Sequence, residues 1–153
     1  MEHIQILPYS AELASNFKSI NQVWVENLFS LEPFDRDQLD HPYDKIIAPG
    51  GAIIFAQVGA EIVGTVGLQK VSDTVFELIK MGVKESAQGK GIGLALGKAV
   101  LARAKEMGAQ RVELYTHSKL KAALNIYRKL GFIDEVPEVG KYCRCDLKMT
   151  LAI

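Results

Sequence analysis

Residues 88–93, Gln-Gly-Lys-Gly-Ile-Gly, carry three glycines at alternate positions and form the stretch of this sequence best suited to bind an anion. Glycine has no Cβ, so a ligand can approach the backbone closely. The hydrophobic pattern predicts a strand over residues 75–83 and a helix over residues 91–107. The first N–H groups of a helix lack partners within the helix, and the helix dipole adds partial positive charge there. The run therefore predicts a phosphate-binding turn between a strand and a helix.

Two common phosphate-binding motifs do not fit this run. A triphosphate-binding loop needs Gly-x-x-x-x-Gly-Lys followed by Ser or Thr, but Gly91 follows Lys90, so the magnesium-binding hydroxyl is missing. A dinucleotide fingerprint needs Gly-x-Gly-x-x-Gly, and its third glycine would fall on Leu94 or Leu96. The residues at these positions therefore exclude both the triphosphate-binding motif and the dinucleotide-binding motif.

A third pattern does fit. Gln88, Gly91 and Gly93 give Gln-x-x-Gly-x-Gly, and the predicted strand before them ends in Met-Gly-Val at residues 81–83. This arrangement resembles the signature of the GNAT superfamily of acyl-CoA-dependent acyltransferases. Residues 126–132, Ile-Tyr-Arg-Lys-Leu-Gly-Phe, resemble the superfamily's C-terminal helix motif. The two motifs in this order make the resemblance specific, whereas the N-terminal third matches only in outline.

The resemblance implies that acetyl-CoA is the co-substrate, and no metal is predicted. Backbone amides of the glycine turn would hold the pyrophosphate, which agrees with the anion site expected from the glycines. The end of the preceding strand would pair with the pantetheine arm, next to a bulge that Gly82 suits. Lys90 has an equally weighted alternative as a solvated surface charge. The predicted cofactor-binding residues are Met81, Gly82, Val83, Gln88, Gly89, Lys90, Gly91, Ile92 and Gly93.

Acyl transfer to an amine needs a base for the ammonium and a stabiliser or proton donor for the departing thiolate. The resemblance makes Glu77 the candidate base, since members often carry a glutamate on this strand that acts through water. It also makes Tyr127 the candidate general acid near the CoA sulfur. A backbone N–H at the strand end is a candidate donor to the oxyanion. The alternatives are a structural carboxylate paired with a basic residue and an aromatic core residue with a satisfied hydroxyl.

Other residues near these motifs fit less well. Many members carry an asparagine where Leu120 stands, and Asn125 does not simply replace it. His117 is a candidate proton relay, but it is more often a polar loop residue. Cys143 and Cys145 are interpreted as reduced thiols on a late strand, and neither lies in a catalytic motif, so no covalent intermediate is implied.

The predicted elements that position these residues follow the order β-α-loop-β-β-β-α-β-α-β-β. Residues 11–29 show helical periodicity, with Ser10 as a candidate N-cap, and Ser118 is a candidate cap for a helix over residues 119–130. Residues 30–49 are predicted as a loop with short helical turns. Its acidic residues are weak candidates for attracting a cationic amine, or else belong to a solvated connector. These acids are Glu32, Asp35, Asp37 and Asp40.

The order predicts one α/β (α+β) domain over residues 1–153. By the resemblance, its central sheet is mixed, mostly antiparallel, has six to seven strands flanked by helices, and is splayed between strands 4 and 5. Acidic and basic residues balance at 18 each, which argues against a nucleic-acid or membrane-surface partner. The start of the chain lacks a signal-peptide pattern, so we expect a cytoplasmic protein.

The predicted activity is N-acetyltransfer from acetyl-CoA to a primary amine, by direct attack in a ternary complex. The acceptor is predicted to be a small-molecule amine or a peptide amine, and a homodimer is left open. Two alternatives stand beside this activity. One is a non-catalytic acyl-CoA-binding regulatory module, and the other is acetylation of a protein lysine or N-terminus.

Overall fold

A seven-stranded sheet runs through the computed structural model, which describes residues 3–135 and 145–153. Its strands lie in the order β1-β2-β3-β4-β5-β7-β6. In the described chain only β4 and β5 pair in parallel, and every other neighbouring pair is antiparallel. This confirms the predicted mixed, mostly antiparallel sheet. The strands are β1 (Ile4–Pro8), β2 (Ala52–Val58), β3 (Glu61–Lys70), β4 (Val75–Val83), β5 (Arg111–Thr116), β6 (Ile133–Glu135) and β7 (Leu147–Ala152).

Helices cover both faces of the sheet. On one face, α3 and α4 pack against the strands through an apolar core that includes Leu96, Leu124 and the strand residue Leu78. On the other face, α1 and α2 pack through a smaller core that includes Phe17 and Ile79. The helices are α1 (Ala14–Leu28), α2 (Pro33–Asp40), α3 (Ile92–Glu106) and α4 (Lys121–Leu130), with a π-helical turn at Tyr43–Ile47 and 3-10 turns at Ala11–Leu13 and Glu85–Ala87.

The segment predicted as a loop with short helical turns contains a two-turn helix, α2. Pro33 stands at its start, where a missing N–H costs no hydrogen bond. Glu32 and Asp35 form a reciprocal capping box, in which the Glu32 backbone N–H donates to Asp35 Oδ2 at 2.9 Å. The prolines of this segment led to the prediction of a loop, because proline breaks a helix interior. Proline is nevertheless compatible with the first turn of a helix, where Pro33 stands.

Two of the four acids in this segment form ion pairs with lysines of other elements. Asp35 is fully buried, and its Oδ1 lies 2.8 Å from Nζ of Lys80 on β4, whose side chain is only 2% exposed. Asp40 lies 2.7 Å from Lys18 on α1, and that hydrogen bond lowers the pKa of the Asp40 carboxyl. Asp35 and Asp40 therefore have structural roles, and the attraction of a cationic amine by Glu32 and Asp37 stays a prediction.

The sheet opens between β4 and β5. The two strands pair only from Val75 to Glu77, and β4 then continues to Val83 without a β5 partner in the ladder. Against β3, the register of β4 shifts beyond Ile79, so that Lys80 and Met81 together oppose one residue of β3. At this bulge Lys80 adopts φ +51°, a left-handed conformation that is uncommon for residues other than glycine. This confirms the predicted splay between strands 4 and 5.

The bulge changes which face of the sheet each side chain meets. A regular strand would place Glu77, Ile79 and Met81 on one face. Instead, Ile79 packs with the α1–α2 core, whereas Met81 packs against the α3–α4 core. Gly82 returns to the α1 face, where a Cβ would lie 2.9 Å from the ring of Trp24.

Two details at the C-terminal end differ from expectation. Leu120, rather than Ser118, is the N-cap of α4, and the Ser118 hydroxyl binds Asp146 at 2.7 Å instead. The described part of the last strand begins at Leu147, so Cys145 precedes it, and Cys143 lies outside the described residues. Over the part of the chain that the structure describes, no helix is both long and apolar enough to cross a bilayer.

Candidate active site

A cavity of about 790 Å³ occupies the gap where β4 and β5 diverge. Its lining includes residues of α3 and α4, which cover one face of the sheet, and of α1, which covers the other. The cavity therefore passes through the splay and connects the two faces. Of the predicted cofactor-binding residues, all but Lys90 line it: Met81, Gly82, Val83, Gln88, Gly89, Gly91, Ile92 and Gly93.

The three glycines of the turn serve two different structural purposes. Gly89 and Gly91 have φ of +78° and +81°, a left-handed conformation that side chains with a Cβ rarely adopt. A Cβ on either would meet no atom within 4 Å, so the space beside them is open. Gly93 is different, because its Cβ would lie 2.6 Å from Cδ1 of Ile126 on α4. Gly93 thus allows α3 and α4 to pack closely beside the cavity.

The turn presents the amino end of α3 to the cavity. Gly91 is the N-cap of this helix, and its carbonyl accepts the helical hydrogen bond from Ala95 N–H. The N–H groups of the first turn before Ala95 therefore have no carbonyl four residues earlier within the helix. Gln88 ties this turn to the end of β4, since its side-chain amide donates to the Val83 carbonyl at 3.1 Å. These features are the physical requirements of an anion site.

Glu77 lies at the point where the β4–β5 ladder ends. It is paired in register with Glu113 of β5 and is only 1% exposed, although it contributes to the cavity lining. Its neighbours Phe76 and Leu78 belong to the α3–α4 core, so Glu77 faces the α1 side of the sheet. Glu113 lies 3.5 Å from Nζ of Lys148, which compensates the charge of this second carboxylate.

Tyr127 points from α4 into the cavity and is 7% exposed. Its ring meets Phe132 edge-on, with 6.0 Å between the ring centroids. Burial raises the pKa of the Tyr127 phenol above its ordinary value, and the nearby Cys145 raises it further. The phenol therefore keeps its proton at neutral pH. The inward orientation matches the one expected from helical periodicity, while the acid role stays a prediction.

Sequence reasoning missed several residues that line this cavity. Trp24 of α1 and Tyr115 of β5 were not singled out as site residues, and Cys145 was set aside because it lies outside both motifs. Asn125, considered unable to replace the missing asparagine contact, also lines the cavity. Helical spacing identified the apolar stripe of α1 that contains Trp24, but no local signal shows which strand end that stripe covers.

The loop after β5 closes one side of the cavity. Lys119 Nζ donates to the Leu28 carbonyl at 2.7 Å and lies 4.1 Å from the centroid of the Phe29 ring. Phe29 in turn meets His117 edge-on at 5.7 Å. His117 therefore takes part in a bridge between α1 and the loop, and its role as a proton relay stays a prediction. Hydrogen bonds from Ser118 lower the pKa of the Asp146 carboxyl in the same region.

In residues 3–135 and 145–153, no group of three or more His, Cys, Asp or Glu side chains is placed to hold a metal ion.

A mixed sheet that splays at its parallel pair, with a glycine turn opening a helix beside the gap, agrees with the resemblance to the GNAT superfamily. Residues 17–132 match the model of the acetyltransferase (GNAT) family. The chain therefore belongs to the GNAT acetyltransferase family. This confirms the predicted family, its fold and the prediction that the protein is an acyl-CoA-dependent acyltransferase.

Individual relatives agree with this membership. The uncharacterized N-acetyltransferase YjgM of Escherichia coli (strain K12) is 31% identical over 116 residues, which cover 72% of this chain and 70% of that protein. The chain spans about half or less of the length of several other curated relatives that it matches.

Solved structures share the fold at low sequence identity. An acetyltransferase of the GNAT family from Staphylococcus aureus Mu50 has a TM-score of 0.87 at 22% identity, covering 98% of this chain and 99% of that chain. YncA from Salmonella typhimurium, a putative acetyltransferase solved with its cofactor acetyl-CoA, has a TM-score of 0.78 at 19% identity, covering 98% of this chain and 94% of that chain.

Proposed function

We propose that this protein transfers an acetyl group from acetyl-CoA to a primary amine by direct attack in a ternary complex. The observation that carries the proposal is the single cavity shared by the glycine turn, Glu77 and Tyr127. A cavity through the splay lets a donor and an acceptor meet from opposite faces of the sheet. The Salmonella relative in fold, which was solved with acetyl-CoA, supports the same donor here.

In this proposal the glycine turn binds the pyrophosphate of acetyl-CoA. The residues of the turn from Gln88 to Gly93 supply backbone N–H groups and partial positive charge. Met81, Gly82 and Val83 pair with the pantetheine arm as an added strand, since this part of β4 has no β5 partner in the ladder. Lys90, which is exposed and does not line the cavity, contributes at most a charge near the phosphates.

The residues of the cavity suffice for the proton transfers of the reaction. Glu77 accepts a proton from the acceptor ammonium, through a water because its carboxyl has almost no accessible surface. The free amine attacks the thioester carbonyl and forms a C–N bond, while a backbone N–H of the β4 end stabilises the oxyanion. The C–S bond then breaks, and Tyr127 donates its proton to the CoA thiolate. The nitrogen loses its second proton as the amide forms. Glu77 then releases its proton and Tyr127 regains one by exchange with solvent, so that both groups return to their starting states.

Catalysis is favoured over a purely regulatory acyl-CoA-binding module. A binding module would need only the glycine turn and the free edge of β4. Glu77 and Tyr127 come from a strand and a helix far apart in sequence, yet both line the cavity beside that edge. A carboxyl and a phenol at the place where the thioester would lie are the two groups that the transfer reaction requires.

An acceptor screen tests the proposed function. Acetyl-CoA is offered with a panel of primary amines, and thiol release is measured against a reaction without acceptor. Amine-dependent release, with the N-acetylated product identified by mass, is the expected result. Tight acetyl-CoA binding without release for any small amine or lysine peptide would instead support the regulatory module.

Glu77→Gln is expected to lower the rate roughly tenfold near pH 6 and less than threefold near pH 9. The acceptor amine is mostly protonated at low pH, so a base matters most there, whereas free amine is more abundant at high pH. The pH dependence of kcat/KM for variant and wild type, with a fixed acceptor, measures this difference. Asp37→Asn removes a carboxylate that does not line the cavity and serves as the control. Parallel pH profiles for Glu77→Gln and wild type would remove Glu77 from the mechanism.

A further inference from the structure

We propose that the acceptor is a small primary amine carried on a flat aromatic body, and that Trp24, Phe29, Tyr115 and Glu77 form its binding subsite. These four residues, called the acceptor subsite below, all line the cavity on the α1 side of the sheet. The inference rests on the proposed function, since it assigns the acceptor of the same reaction.

Trp24 is fixed against the strand end where the acetyl group would lie. Its indole packs on Gly82, so closely that a Cβ at this glycine would lie 2.9 Å from both Cδ1 and Nε1 of the ring. The indole N–H donates to Asn21 Oδ1 at 2.8 Å, and Asn21 is itself fully buried. The ring is therefore held by a contact and a hydrogen bond, and it presents a rigid apolar surface to the cavity.

Tyr115 and Glu77 belong to the same face of the sheet as Trp24. Glu77 is in register with Glu113 of β5, and Tyr115 lies two residues further along that strand, so its side chain leaves the sheet on the same side. An ammonium group near Glu77 would therefore have the Trp24 indole beside it, whereas Lys148 Nζ already lies 5.6 Å from the centroid of the Tyr115 ring. This combination attracts a cation both by charge and by the ring quadrupole.

The bridge between α1 and the loop after β5 limits the shape of the acceptor. Lys119 reaches across to the Leu28 carbonyl and covers the ring of Phe29, which also meets His117. These contacts join the two sides of the splay next to the acceptor subsite. An extended peptide would need an open groove through this position, so the bridge favours a compact amine over a protein lysine or N-terminus.

The charges around the subsite argue against a polyamine. Glu77 is the only carboxylate among the described residues that line the cavity, and Lys119 lines it beside Phe29. The Asp35 carboxylate is already paired with Lys80. A second or third ammonium group would therefore find no second carboxylate among these residues, whereas an uncharged ring would meet the ring of Trp24 or Tyr115.

Trp24 is the single tryptophan of the chain, so its fluorescence reports directly on this subsite. The protein is saturated with CoA, excited where only tryptophan absorbs, and titrated with 2-phenylethylamine, 2-cyclohexylethylamine or spermidine. We expect a saturable change with 2-phenylethylamine at concentrations at least tenfold below those needed for spermidine. The cyclohexyl amine, which is more apolar but not flat, is expected to bind at least threefold more weakly than the phenyl amine.

Two variants test whether the amine binds at Trp24. Trp24→Leu is expected to weaken 2-phenylethylamine binding at least tenfold by calorimetry and to leave the Kd of acetyl-CoA within twofold. Val23→Ala, a truncation on the same helix at a residue that is 60% exposed, is the matched control and should change neither value. A Trp24→Leu variant that binds the phenyl amine normally would overturn the subsite.

Thiol release with the same three amines separates this inference from the proposed function. Acetyl transfer to spermidine without a preference for 2-phenylethylamine, and without saturable phenyl amine binding, would overturn the subsite and leave the transferase standing. Saturable phenyl amine binding with no thiol release from any amine would support the subsite and overturn the transferase. Neither binding nor release would overturn both.

Discussion

Replacing Gly91 by glutamate is expected to weaken acetyl-CoA binding at least a hundredfold. The side chain would project from the N-cap of α3 into the open space where the pyrophosphate is proposed to lie. A carboxylate there repels the phosphates and occupies the helix N-terminus itself, where negative charge is favoured. Isothermal calorimetry with acetyl-CoA measures the loss, which corresponds to about 2.7 kcal/mol.

Gly59→Glu provides a closely matched control for this variant. Gly59 also has positive φ, at +61°, and a Cβ there also meets no atom within 4 Å, but it lies in the β2–β3 turn away from the cavity. Both substitutions add one negative charge, and both force a side chain into the left-handed region at a cost of about 1–2 kcal/mol. We expect similar losses of melting temperature in the two variants. Normal acetyl-CoA binding by a folded Gly91→Glu protein would place the phosphates elsewhere.

The glycine turn shows how far sequence reasoning reaches. Spacing alone separated this turn from the triphosphate and dinucleotide motifs, because those motifs depend on residue types at fixed positions. Spacing did not reveal that Gly93 differs from Gly89 and Gly91. A glycine is required at position 93 because Ile126, more than thirty positions later on α4, packs against it. Glycine is favoured at positions 89 and 91 because of the positive φ of their own backbone. A backbone conformation in a turn can therefore be predicted from neighbouring residues, whereas the packing of two helices depends on residues distant in sequence.

The acceptor side of the cavity was less predictable for the same reason. Asp35 looked like one of several surface acids, but it is buried against Lys80 because the bulge in β4 aims that lysine at α2. Trp24 looked like one member of an apolar helix stripe, but it packs on Gly82 at the end of β4. Both contacts join segments separated by more than forty residues. The residues proposed to bind the donor stand in contiguous motifs, whereas those proposed to bind the acceptor come together only in the tertiary structure.

Removing the phenolic hydroxyl of Tyr127 is expected to have the largest effect on the chemical step. We expect kcat of Tyr127→Phe to fall about a hundredfold or more. Phenylalanine keeps the edge-on contact with Phe132, so the helix position and the Kd of acetyl-CoA should change little. Because burial raises the pKa of this phenol, wild type should lose no activity through tyrosine ionisation up to about pH 9. Single-turnover measurements with acetyl-CoA and a saturating acceptor isolate the step from product release.

The identity of the proton donor can be tested further, because a second acidic hydrogen lies close by. Cys145 lines the same cavity and is near enough to influence the pKa of Tyr127. If Tyr127→Phe retains more than a third of the wild-type rate, the phenol is not the donor. Adding Cys145→Ser to that variant then distinguishes the thiol, whose loss lowers the rate again, from solvent, for which the double variant matches the single one. Tyr43→Phe, at a ring that is 55% exposed and outside the cavity lining, should behave as wild type throughout. A hundredfold loss confined to Tyr127→Phe, with acetyl-CoA binding intact, would assign the departing thiolate's proton to this phenol.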